Sequence, residues 1–139
     1  MASREARDLC PELRSKLVEF LARAKMAGID VLVYCTYRSP EEQAKLYKQG
    51  RPGGQTGPIV TWTLKGKHNL QDSTGRPASE AFDCVPLVGG KPAWNARELY
   101  LQLAAIGKAI GLRWGGDWDG DGKPFERGET DSPHFELKR

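Results

Sequence analysis

Asp30-Val31-Leu32-Val33-Tyr34-Cys35-Thr36 runs straight into Tyr37-Arg38-Ser39-Pro40-Glu41-Glu42-Gln43. The first half is apolar and rich in β-branched residues, which predicts a strand over residues 30–36. Ser39 then caps a helix, with Pro40 at its first position and Glu42 at its third, a near match to a capping box. That helix is expected to reach Gln49 and stop at Gly50. Arg38 falls at the junction, and the end of a strand is where a side chain reaches a cleft. A guanidinium there can bind a substrate carboxylate or steady an oxyanion. The simpler alternative is a surface ion pair with Glu41 or Glu42.

Upstream, residues 11–27 read as a helix. Pro11 suits the first turn, Leu13, Leu17, Phe20, Leu21 and Ala24 form one apolar stripe, and Gly28 ends it. Downstream, residues 50–80 are rich in Gly, Pro, Ser and Thr, with a short strand expected from Ile59 to Thr63. A loop of that length inside a compact chain is usually functional or mobile. Ala81-Phe82-Asp83-Cys84-Val85-Pro86-Leu87-Val88 reads as a strand and Gly89-Gly90 as a turn. Residues 96–110 are a third helix, with Leu99, Leu103, Ile106 and Ile110 on one face. A strand starts at 112–114, an acidic Gly-rich loop fills 115–131, and residues 133–138 close the chain as a strand. The expected fold class is α+β, with helices packed on one side of a small, mainly antiparallel sheet. No repeat or linker is visible, so residues 1–139 are expected to form a single domain without a separate wall-binding domain.

The bulk composition narrows the function. With 39% hydrophobic and 28% charged residues, the chain is that of a globular protein rather than a disordered one. A net charge of +3 suits an anionic partner such as a bacterial wall but is too weak to argue for nucleic acid, and no nucleic-acid motif is present. Cys10, Cys35 and Cys84 form neither a disulfide framework nor a C-x-x-C zinc pair; Cys35 and Cys84 sit in apolar runs and read as buried thiols. The first residues lack the apolar core of a signal peptide, and no run is long enough to cross a bilayer. A monomer made in a reducing cytoplasm, without stable membrane insertion, is the expectation.

The only histidines are His68 and His134, each beside a Gly-rich loop and acidic residues. With Asp83 they could converge as a His2Asp zinc site, leaving a fourth position to water. From spacing alone, two surface histidines and a strand-edge aspartate are the simpler reading. Asp131 stands three residues before His134, and Pro133 fixes the backbone between them; a carboxylate so placed is either a general base or a turn former. Asp117-Trp118-Asp119-Gly120-Asp121-Gly122 has the D-x-D-x-D-G pattern of a calcium loop, with Gly128 where position 12 calls for Glu and with Glu126 and Glu129 flanking it. Calcium and a solvated acidic turn are equally good readings of it.

Taken together, these segments resemble the L-alanyl-D-glutamate peptidases of the D-alanyl-D-alanine metallopeptidase superfamily, which include many phage endolysins. The resemblance rests on Thr36-Tyr37-Arg38-Ser39-Pro40-Glu41-Glu42-Gln43, Leu46-Tyr47, Gln49-Gly50-Arg51, Lys67-His68-Asn69, Ala81-Phe82-Asp83, Trp114-Gly115-Gly116-Asp117-Trp118 and Asp131-Ser132-Pro133-His134-Phe135-Glu136-Leu137, spanning about Leu9 to Leu137. It implies a zinc held by His68, Asp83 and His134, Asp131 as catalytic base, and Arg38 steadying the tetrahedral intermediate. It also implies peptidoglycan as substrate, reached after release from the host cytoplasm through a holin. Two departures stand out. Gly66 replaces the usual Ser two residues before the first histidine. The interval from His68 to Asp83 is long, which leaves Asp72 and Glu80 as alternatives to Asp83. Glu136 alternates with Phe135 and so shares a face with His134, as a supporting group or a paired surface residue. Trp114, Trp118 and Tyr37 either flank the peptide or pack in the core. The neighbouring activity is a D-alanyl-D-alanine carboxypeptidase with the same metal site, and the rival of another class is a wall- or calcium-binding module without activity.

Overall fold

The computed structural model describes residues 2–61, 63 and 65–139. Helix α1 (Pro11–Met26) leads into strand β1 (Asp30–Cys35), followed by helix α2 (Pro40–Lys48). A long loop then leads to β2 (Ala81–Val88), β3 (Lys91–Pro92), helix α3 (Arg97–Ala109), β4 (Leu112–Trp114) and β5 (His134–Leu137). The strands form one antiparallel sheet in the order β1-β2-β5-β4, with β3 paired to β2. The α+β architecture expected from the sequence is the one observed.

Local chemistry accounts for most boundaries. The Ser39 hydroxyl accepts a hydrogen bond from the Glu42 backbone N–H at 3.1 Å, which satisfies one of the free donors at the start of α2. Gly89 and Gly90, at φ 59° and 79°, make the tight reversal between β2 and β3. The segment expected as a strand from Ile59 to Thr63 has no strand in its described residues; Trp62 lies outside them. Short 3-10 turns at Ala6–Asp8 and Lys67–Asn69 were not legible in advance.

One face of the sheet carries the core. Phe82 and Phe135, paired across β2 and β5, stack with centroids 5.6 Å apart, and Phe20 of α1 meets them at 5.3 and 5.0 Å. The face of α3 that goes deepest is Tyr100, Leu103, Ala104 and Gly107, turned from the expected one, since Leu99 and Ile106 are only partly buried. The reason lies in Gly107. A Cβ there would stand 2.8 Å from the Phe135 ring, so the missing side chain lets α3 settle onto the sheet. No helix of the described residues is long and apolar enough to cross a membrane.

The strand period does the rest. Phe82 and Phe135 point to the helices, so Asp83, His134 and Glu136 point to the opposite face. On β1 the register slips by one residue, with Val33 opposite Cys84 but Cys35 opposite Asp83. This bulge brings Cys35 rather than Tyr34 beside Asp83.

Gly107→Ala tests the close approach. Helix propensity alone would favour alanine by about 1 kcal/mol. Overpacking against a fully buried ring costs about 1–3 kcal/mol. The expected outcome is a net loss and a melting temperature lower by a few degrees in calorimetry. An unchanged or higher value would mean the helix–sheet spacing is not set here.

Candidate metal centre and cleft

Three elements deliver the polar cluster. β2 supplies Asp83, β5 supplies His134 and Glu136, and the turn at Lys67–Asn69 supplies His68. That turn is tied to the strand–helix junction. The Arg38 N–H donates to the His68 carbonyl at 2.9 Å, and the Asn69 side-chain amide donates to the Arg38 carbonyl at 2.7 Å.

Both imidazoles aim one nitrogen at the same atom. His68 Nε2 lies 3.1 Å and His134 Nδ1 3.2 Å from Asp83 Oδ1. Each ring's outer nitrogen has its own acceptor. His68 Nδ1 is 3.0 Å from the Thr36 carbonyl, and His134 Nε2 is 2.9 Å from Glu136 Oε1. Once the rings are neutral, acceptors on the outer nitrogens leave the inner lone pairs facing the Asp83 side, the arrangement that prepares histidines for a divalent metal. All three side chains are buried, at 6–8% exposure.

Charges confirm how tightly these groups are coupled. Burial disfavours a charged ring, but the Asp83 carboxylate outweighs it and pushes the pKa of His68 up to about 10. At His134 burial is outweighed by Asp83 and Glu136 together, giving about 9. Burial would raise Asp83, yet the two imidazoles hold it well below the usual carboxylate range.

Cys35, His68 and Asp83 also qualify as a buried group able to hold a metal. Cys35 was expected only to be a buried thiol, and the bulge that brings it here leaves no trace in the sequence. Its Sγ lies 3.6 Å from His68 Nδ1, on the edge of the ring already bonded to Thr36, and 3.5 Å from an Arg38 nitrogen.

Asp131 and Arg38 each come close to one member of the cluster. Asp131 Oδ2 is 3.9 Å from His134 Nδ1, and Arg38 Nη2 is 3.9 Å from Asp83 Oδ2. The Asp131 carboxylate faces the cleft. Protein packed behind it, with the Asp83 charge adding, raises its pKa against the pull of His134. Gly115 makes room for it, since a Cβ at that position would meet the Asp131 carbonyl oxygen at 2.3 Å. Arg38 Nη1 donates to Gln43 Oε1 at 3.0 Å, and Gln43 Nε2 donates to the Thr63 carbonyl at 2.7 Å. No ion pair from Arg38 to Glu41 or Glu42 forms among the described contacts, so the surface-pair reading gives way to a cleft one.

The cleft above the cluster measures about 760 Å³, walled by Tyr34, Leu46, Val60, Lys65, Leu70 and Trp118 among others. Of the aromatics named from sequence, only Trp118 lines it, 5.2 Å from the His134 ring. Trp114 is core, its indole N–H donating to the Ser132 carbonyl at 2.7 Å, and the Tyr37 hydroxyl accepts from Gln71. Asp72 sits in an exposed turn accepting from Thr74 and Arg76, and Glu80 pairs with Lys67 and Arg139, so neither reaches the cluster.

A second acidic group forms where the calcium pattern lies. Asp117, Asp119, Asp121 and Glu129 each bring a carboxylate oxygen within 4.8 Å of the others. Asp117 and Glu129 are buried, and Asp117 Oδ1 and Glu129 Oε1 have no hydrogen-bond partner among the described residues. The other oxygen of each is engaged: Asp117 Oδ2 by Lys108 at 2.8 Å and the Gly122 N–H at 3.1 Å, Glu129 Oε2 by the Asp119 N–H at 3.3 Å.

Comparison with known proteins bears on the family of the chain. The family model described as phage L-alanyl-D-glutamate peptidase matches residues 2–138. The peptidoglycan L-alanyl-D-glutamate endopeptidase CwlK of Bacillus subtilis (strain 168) is 34% identical over 140 residues, covering 94% of this chain and 74% of that protein. The L-alanyl-D-glutamate peptidase of Listeria phage A118 is 28% identical over 112 residues, or 79% of this chain and 31% of that protein. The crystal structure of the Serratia marcescens L-Ala D-Glu endopeptidase ChiX superposes with a TM-score of 0.64 at 22% identity, over 99% of this chain and 89% of that one, and shares its fold. With a family match along nearly its whole length, the chain belongs to the phage L-alanyl-D-glutamate peptidase family.

Proposed function

We propose that this chain hydrolyses the L-alanyl–D-glutamate bond of peptidoglycan stem peptides at a zinc held by His68, Asp83 and His134. The observation that carries the reading is the convergence of both imidazoles on one Asp83 oxygen, each with its far nitrogen hydrogen-bonded. Two nitrogens and a carboxylate are a usual donor set for a catalytic zinc. A zinc bound there supplies Lewis acidity to the attacking water and the scissile carbonyl. Glu136 and the Thr36 carbonyl hold the two rings in the tautomers such an ion needs.

The remaining chemistry belongs to the chain's own groups. Asp131, in the cleft and with its carboxyl raised, takes a proton from the attacking water and returns it to the leaving D-glutamyl amine. Arg38, held by Gln43, faces the negative charge that gathers on the carbonyl oxygen. On this reading the enzyme works at the wall, after release from a host cytoplasm.

The acidic loop carries a second proposal. Two buried carboxylate oxygens without partners, beside two exposed carboxylates, suit a calcium ion bound by Asp117, Asp119, Asp121 and Glu129. Glu129 supplies the carboxylate that the sequence lacks at Gly128. The same loop runs on to Asp131, so an ion that fixes it also fixes the base.

Digests of purified stem peptides followed by mass spectrometry are expected to show fragments ending in L-Ala and beginning with D-Glu. Release of D-Ala alone would make the chain a carboxypeptidase instead. Asp131→Asn should keep the zinc and lose turnover by ~10²-fold or more; near-normal turnover would remove Asp131 from the mechanism.

Metal analysis should find one zinc per chain. His68→Ala, Asp83→Ala and His134→Ala should each lose it, and Cys35→Ser should retain it. A zinc lost with Cys35→Ser but kept with His134→Ala would transfer the third position to the thiolate.

Calcium added to zinc-loaded protein should raise wall lysis with a half-point at ~10⁻⁴–10⁻³ M, the range of weak sites. Glu129→Gln should abolish that response. Equal lysis in chelated and calcium-saturated samples, at constant zinc, would leave the loop a solvated acidic turn.

A further inference from the structure

Behind the wall of the cleft lies a second cavity of about 320 Å³, with Trp94, Asn95, Arg97, Tyr100, Thr130 and Ser132 in its lining. Nothing in the hydrolytic mechanism uses it. We propose that this cavity is a glycan subsite, which takes an N-acetylated aminosugar of the wall polymer while the attached stem peptide lies in the cleft.

Four observations converge on that chemistry. Trp94 is 52% exposed, and Tyr34 holds it in an edge contact with centroids 5.3 Å apart at 73°. A fixed indole with a free face is a platform for the C–H face of a pyranose. Beside it the start of α3 is uncapped, because Ala96 at the N-cap offers no side-chain acceptor to the free N–H groups. Tyr100 is among the residues that line the cavity; it is buried at 2% exposure, and its hydroxyl has no hydrogen-bond partner among the described residues. A buried hydroxyl without a partner costs about 1–3 kcal/mol, which a ligand hydroxyl or amide would relieve. Arg97, laid over the Phe125 ring at 4.3 Å, adds a preset donor fork at the rim.

The position is right for the substrate. In peptidoglycan the amine of L-alanine is joined through a lactyl group to the sugar, so the pyranose lies on the amine side of the scissile bond, within about two residue lengths, ~7 Å. Tyr34 lines the cleft and touches Trp94, and segment 130–133 presents Asp131 to the cleft while Thr130, Ser132 and Pro133 line the cavity. The two therefore lie on either side of one stretch of chain, as a peptide and the sugar attached to it require. The mix of one aromatic face with hydroxyl, amide and guanidinium donors favours a polyhydroxylated, acetamido-bearing ligand over an apolar peptide side chain.

This inference rests on the peptidoglycan reading, and its test separates the two. The zinc-loaded enzyme is assayed on a disaccharide-linked stem peptide and on the same peptide without sugar. The ratio of the two kcat/KM values should fall roughly tenfold in Trp94→Ala, through KM, and several-fold in Tyr100→Phe, with Trp94→Phe recovering most of it. An N-acetylglucosamine tetramer titrated into wild-type protein should shift the indole N–H resonance of Trp94, identified by its loss in Trp94→Ala, and leave that of the buried Trp114 in place. An unchanged ratio in Trp94→Ala and Tyr100→Phe, or saccharide shifts confined to Trp118, would overturn the subsite. Failure of wild-type protein to cut either peptide would count against the hydrolytic reading alone, because the titration still decides where the sugar binds.

Discussion

Asp83 faces His134 across β2 and β5, and the pleat that turns them to the cleft turns Phe82 and Phe135 to the helices. A slip of one residue in this pairing would bury a carboxylate and an imidazole in the core and expose two phenylalanines. The cost of that exchange keeps the register, and the register keeps two of the three proposed ligands opposed. The centre is thus held by the hydrophobic effect acting on the other side of the sheet. The third, His68, comes from a turn with no such backing. It depends instead on the Arg38 N–H donating to its carbonyl, on the Asn69 side-chain amide donating to the Arg38 carbonyl, and on the Thr36 carbonyl beside its ring.

Much of this was legible in the sequence, for identifiable reasons. The apolar run of β1, the capping residues of α2 and the alternation around Asp83 and His134 are local signals, and the elements they predict are present. The residues implied by family resemblance, Arg38, His68, Asp83, Asp131 and His134, meet at one cleft. Other features depend on partners distant in the chain. The rotation of α3 follows from the fit of Gly107 on Phe135, which helical periodicity does not encode. The bulge at Tyr34 depends on which residue of β2 stands opposite, so Cys35 could only be read as an inert thiol. Trp114 and Trp118 are four residues apart and alike in sequence, yet one is core and the other borders the cleft.

The segment from Gly115 to His134 concentrates several demands. Its start is pinned by the Gly115 N–H donating to the His134 carbonyl, and its end by the Asp131 N–H donating to the Gly115 carbonyl. Between them, Phe125 packs on Trp114 with centroids 5.6 Å apart and takes a left-handed φ of 64°, unusual for an aromatic residue. The acidic cluster, the base and one side of the second cavity, with Phe125, Thr130, Ser132 and Pro133, all hang from this one excursion. A change in the loop's order is therefore felt first in the position of the base and only weakly in the sheet below.

The loop over residues 50–66 has the opposite character. It walls the cleft with Val60, Thr61, Thr63 and Lys65, yet gives no group to the cluster of His68, Asp83 and His134. Among the described residues, Gln43 ties it to the site through the Thr63 carbonyl and the Thr61 hydroxyl. This part of the cleft wall and the polar cluster thereby come from separate stretches of chain. A change confined to this loop would therefore reshape the mouth of the cleft while leaving in place the sheet that carries Asp83, His134 and Glu136.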